Sequence, residues 1–127
     1  MRLPLVLAAA LAAAVLLPGA GAGAGRASAH CPTGILPVEP DSVATAALAA
    51  LRREDAKSRP LVTSAALATS DTARGSIAKR ECGRRVWQRT VVVSIRLRAF
   101  APSASLSSRV SFVGRFKTGY RVWQIAH

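Results

Sequence analysis

An α+β domain is the fold class the sequence predicts: one helix packed on a three- to five-stranded antiparallel meander, held by one disulfide. Three observations predict it. Residues 84–125 alternate apolar and polar side chains at period two, and they hold all six aromatic residues and no acid. That is the pattern of half-buried strands. Residues 42–57 are rich in alanine and leucine, with apolar positions at helical spacing, which favours a helix. Two cysteines, Cys31 and Cys82, lie far apart in the chain.

Residues 1–29 are expected to be a signal peptide. Arg2 provides a positive start, residues 5–17 form an uninterrupted apolar run, and Pro18 and Gly19 break it. Ala27-Ser28-Ala29 then offers small residues where a signal peptidase cuts. The run is shorter than the ~20 residues of a spanning helix. Ser28-Ala29-His30 also departs from the pattern that precedes a lipidated cysteine. Residues 30–127 are then one exported domain, placed in the cell envelope or outside the cell. An oxidising compartment favours a Cys31–Cys82 disulfide. Neither cysteine has CxxC spacing or nearby ligands, so a redox pair or a metal site is disfavoured.

Residues 31–40 carry Pro32, Pro37 and Pro40, so they read as an extended lead-in with at most an edge strand at 35–38. Asp41 is placed as the helix N-cap. Ala44, Ala47, Leu48 and Leu51 form the expected apolar stripe, and Pro60 ends the helix region. A membrane-surface helix is disfavoured because the stripe has no aromatic residue. Residues 61–69 read as a strand and residues 70–83 as irregular. Three strands follow: 84–98, 106–117 and 120–125.

Thr118-Gly119 reads as a two-residue hairpin turn. That register pairs Lys117 with Tyr120, Phe116 with Arg121, Gly114 with Trp123 and Phe112 with Ile125. It places Phe112, Gly114, Phe116, Trp123 and Ile125 on one face with Val91, Val93, Ile95 and Leu97, under the helix. The indole of Trp123 is expected to cover Gly114. Arg96, Arg98, Arg109, Arg115 and Lys117 then share the opposite face, with Arg96 close to Arg109.

Cys31-Pro32, Cys82-Gly83, Arg89-Thr90-Val91-Val92-Val93, residues 103–107 and Gly119-Tyr120-Arg121-Val122-Trp123 resemble small exported proteins of unknown function from high-GC, actinobacterium-like genomes. A helix followed by a meander ending in VGRFKTGYRVW resembles the cystatin-like and nuclear-transport-factor-2-like folds. That resemblance implies a fold and carries no activity.

Enzyme chemistry is not expected. The six acids, Glu39, Asp41, Glu54, Asp55, Asp71 and Glu81, form no pair placed for acid–base work, and no phosphate loop or nucleophile motif is present. No cofactor or metal is expected either. His30 and His127 together could chelate copper through imidazole and a free amine, but terminal histidines are ordinarily solvated. Charge is the strongest functional signal. The chain carries +12, of which Arg2 and Arg26 contribute two, leaving +10 on residues 30–127. A basic face outside the cell suits an anionic wall polymer or an acidic protein. A specific nucleic acid is not expected, since SRVSFVGRF does not match the RNA-recognition pattern. An arginine- and alanine-rich composition is also what a high-GC genome writes. The function expected is a non-enzymatic binding module for anionic polymers or an acidic partner. The rival is a secreted inhibitor or adaptor acting through loops such as residues 99–105 and the sheet edge.

Overall fold

The structure, a computed structural model, describes residues 30–127; the expected signal peptide lies outside them. Seven helices and strands follow a short 3-10 turn at Pro40–Ser42, with a second such turn at Ala56–Ser58 between the first two. They are α1 (Val43–Arg53), β1 (Pro60–Leu67), α2 (Gly75–Cys82), α3 (Arg84–Gln88), β2 (Thr90–Leu97), β3 (Ser108–Phe116) and β4 (Gly119–Ala126). The strands form one antiparallel sheet in the order β1-β2-β3-β4. Cys31 and Cys82 are bonded, with Cα atoms 5.4 Å apart. The bond ties the lead-in segment to the end of α2.

One face of the sheet packs on α1. Val43, Ala46, Ala47 and Ala50 recur at i, i+3, i+4 and i+7, and the whole of Ala46 and Ala50 is hidden. Against them lie Val91, Val93, Ile95, Leu97 and Val113, joined by Tyr120 and Val122. Alanine on the contact stripe lets the helix axis approach the sheet closely. The helix is therefore rotated from its expected setting. Ala47 alone of the expected stripe packs on this core, while Leu48 is 51% exposed. Asp41 is likewise not the N-cap: it sits inside the 3-10 turn, and Ser42 holds the N-cap position of α1 with no side-chain cap bond. The proline at the start of that turn begins the helical path early, which displaces the cap.

The other face is also covered, which the strand pattern did not anticipate. Ala68, Ala78, Val92 and Phe112 form a second core there, flanked by Ile77, Trp87 and Trp123. Ile35, Val86 and Phe116 extend it. Residues 75–82, expected to be irregular, are α2, and residues 84–88, expected to begin a strand, are α3. Gly83, at φ 88°, separates the two helices. A Cβ at Gly75 would lie 1.9 Å from the Ala68 carbonyl oxygen, so only glycine lets α2 start this close to the chain leaving β1. The strand begins only at Thr90, whose hydroxyl donates to the Val86 carbonyl at 2.7 Å.

The hairpin turn lies one residue earlier than expected, which shifts each pair near it by two residues. Lys117 and Thr118 form the turn, and Phe116 pairs with Gly119, Gly114 with Arg121 and Val113 with Val122. Gly119, at φ 118°, supplies the positive φ just after the turn rather than within it. A two-residue shift leaves side chains on their expected faces. The bulge between Phe112 and Val113 changes that for the end of the strand, so Ile125 lies opposite Ser111, away from Phe112. Trp123 is the extra residue at this bulge, and its ring lies 5.5 Å from that of Phe112. The space above Gly114 is filled by Ile35, not by Trp123. Phe112 pairs with Val92, so it does not share a face with Val91 and Val93.

Candidate functional site

Because β2 and β3 pair Arg96 with Ser108 and Ile95 with Arg109, Arg96 and Arg109 point to opposite faces. The five expected anion-binding residues therefore do not form one strip. Arg96 lies on the α2 side and is exposed. Arg109 turns under α1, where Nη1 meets Glu54 Oε2 at 2.8 Å. The Glu54 side chain is only 3% exposed, so this pair is committed to the fold, because removing either partner strands a buried charge. Arg98 and Arg59 exchange guanidinium-to-carbonyl bonds of 3.1 Å in each direction. Arg115 donates to the Pro37 carbonyl at 3.3 Å, and Lys117 sits in the hairpin turn.

What the fold brings together instead is Arg96 and Arg74. They border a cleft of about 310 Å³ whose other lining residues include Thr63, Ser94, Ser107 and Ser108. Each element has a local reason to be there. The Asp71 carboxylate accepts from the Arg74 amide at 2.9 Å, closing the turn that delivers Arg74 to the N-cap of α2. The Arg74 guanidinium donates to Ser94 Oγ, a nearly buried hydroxyl. An extra residue in β1 between Val62 and Ser64 leaves Thr63 unpaired in the ladder, and its hydroxyl donates to the Ser94 carbonyl at 3.2 Å. Ser107 is held by the Pro102 carbonyl at 3.1 Å. Ser108 opens β3 beside Arg96.

The cleft is thus lined by three arginines, Arg74, Arg96 and the Glu54-paired Arg109, and by several hydroxyls, with no carboxylate, imidazole or thiol among its lining residues. Such a set recognises oxyanions, because guanidinium forks bind carboxylate and phosphate oxygens by charge-assisted bonds. Further along α2 and α3, Lys79, Arg80, Arg84 and Arg85 are exposed. Lys79 also stacks 4.7 Å above the Trp87 ring. Among the described residues the Arg109–Glu54 contact is the single ion pair, so the charged groups of the other cations are not in contact with a carboxylate.

Sequence reasoning missed Arg74 and the α2–α3 cations. Asp71 three residues before Arg74, just ahead of a helix start, was the readable signal for the first. Among the described residues, no group of three His, Cys, Asp or Glu side chains is placed to hold a metal ion. His30 and His127 are both exposed. No protein-family model, curated protein or solved structure matches this chain.

Proposed function

We propose that the protein is a non-enzymatic binding module for anionic polymers of the cell envelope or its surroundings. The observation that carries this reading is the Arg74–Arg96 cleft, a pocket of arginines and hydroxyls without a carboxylate, on a surface with a single ion pair among the described residues. In this reading the cleft grips one anionic group of the polymer. The exposed Lys79, Arg80, Arg84 and Arg85 give the flanking groups a longer-range attraction. The disulfide supports an exported setting, since such bonds persist in oxidising compartments. A single long helix across an antiparallel meander supports placing the fold near the cystatin-like group.

The test is retention on a teichoic-acid or heparin matrix across a salt gradient. Binding of this kind weakens steeply and log-linearly as salt rises, by release of counter-ions. Retention that barely changes between low and high salt would defeat the reading. One observation favours a second reading as an inhibitor or adaptor: the connection from β2 to β3 exposes Phe100 (41%) and Leu106 (47%). That mode is insensitive to salt and is lost in Phe100→Ala.

A further inference from the structure

The two edges of the sheet are treated very differently. On β4 the strand is bulged near Trp123, Arg121 is exposed, and Arg53 Nη1 occupies the Val122 carbonyl at 3.4 Å. Charges of this kind block edge-to-edge pairing. The other edge, β1, is also bulged, at Thr63, but it carries no charged residue, and none follows until Asp71. Beside it Ala44, Leu48 and Leu51 of α1 and Pro60, Leu61 and Val62 of β1 line an apolar cleft of about 450 Å³. Leu48 is 51% exposed and Leu61 45%.

We propose that this edge is an interface with a second copy of the chain, β1 pairing antiparallel with the partner's β1 about a two-fold axis normal to the sheet. Three arguments select a second copy. Antiparallel edge pairing is self-complementary, which is what a two-fold interface requires. The ladder bond from the Ala68 amide to the Thr90 carbonyl, 2.8 Å, fixes which β1 residues face β2. By alternation Ala65 and Leu67 turn their amides outward, as unpaired donors. Charge supplies the third argument. Two copies of a domain with +10 on residues 30–127 repel one another across most of their surfaces, and this uncharged edge is where they can meet. An acidic partner would gain nothing from it and would take the basic surfaces instead.

The geometry has a consequence for binding. A two-fold axis normal to the sheet keeps both copies' faces on the same side. Thr63 of β1 lines the Arg74–Arg96 cleft, so the two clefts flank the seam on one continuous eight-stranded sheet. A polymer that engages both clefts is held far more tightly than either cleft alone would hold it.

The test is sedimentation velocity of the purified, disulfide-intact protein from micromolar to millimolar concentration, in high salt to screen repulsion. Hydrogen exchange of β1 amides is read in parallel. The expected result is a reversible dimer, with protection of residues 61–67 rising with concentration. Leu48→Glu and Ser64→Lys should each weaken the dimer at least about tenfold, with far-ultraviolet dichroism unchanged. A monomer at every concentration would overturn the proposal, and so would a dimer that both variants leave intact. Concentration-independent protection of β1 would also overturn it, since the edge would then be covered within one molecule. The exchange measurement uses the unaltered chain, so the proposal stays testable even if a variant misfolds.

Discussion

The two faces of the sheet solve the same problem, hiding apolar strand residues, in opposite ways. The α1 face is closed by a single helix whose contacts are alanines, and its one buried charge pair, Arg109–Glu54, is internal to the fold. The α2 face is closed by large rings, Phe112, Trp123 and Trp87, beneath two short helices. Those helices stop before the far end of β2 and β3, and there the Arg74–Arg96 cleft opens. The lesson is that complete cover builds stability, while incomplete cover leaves room for a site.

The comparison can be broken most strongly on the ring side. Phe112 is fully buried, so Phe112→Ala should cost about 3–5 kcal/mol in chemical denaturation, through lost transfer energy and a cavity. A cost below about 1 kcal/mol would mean the second core is loosely formed. Next comes the bond that anchors the lead-in to α2. Reduction of Cys31–Cys82, 51 residues apart, should lower stability by about 2–4 kcal/mol, read as a shift in the denaturation midpoint. The α1 face should fail in the contrary direction, by adding atoms rather than removing them. Ala50→Leu should cost about 1–3 kcal/mol, because the helix has no space to yield at that contact. A stabilised Ala50→Leu variant would show that α1 stands off the sheet.

These contrasts also explain what could be read from the sequence. The fold class, the helix, the hairpin and the disulfide follow from periodicity and cysteine placement. Which face each residue occupies did not, and Val91-Val92-Val93 shows why. All three are at most 2% exposed, so the strand is buried on both sides, and period-two alternation cannot assign faces to such a strand. That apolar triplet was itself the signal that a second layer existed. Residues 75–88 were hard to recognise as that layer because each helix is only two turns or so, and RRVWQ alternates as a strand does. The hairpin failed for a local reason: glycine suggests the turn, but here it follows the turn. The β2–β3 pairing, which sets Arg109 opposite Ile95 and not Arg96, is what put the two arginines on opposite faces. Half of the candidate site, Arg96, was legible. Its partner Arg74 was not, because only the path of the chain from β1 into α2 brings it there.

The account's central claim is that the open end of the α2 face, not net charge, binds the polyanion. Its most direct test is a matched pair of double reversals on a teichoic-acid or heparin matrix. Arg74→Glu with Arg96→Glu alters the cleft. Arg52→Glu with Lys57→Glu removes the same formal charge from exposed positions outside it. The control should stay within about 0.5 kcal/mol of the parent in stability, and the cleft pair should lose about 0.5–1.5 kcal/mol with the Arg74–Ser94 bond and stay folded. The account predicts that the cleft variant elutes at far lower salt, or is not retained, while the control stays close to the parent. Equal loss from both pairs would contradict it, since binding would then follow total charge alone.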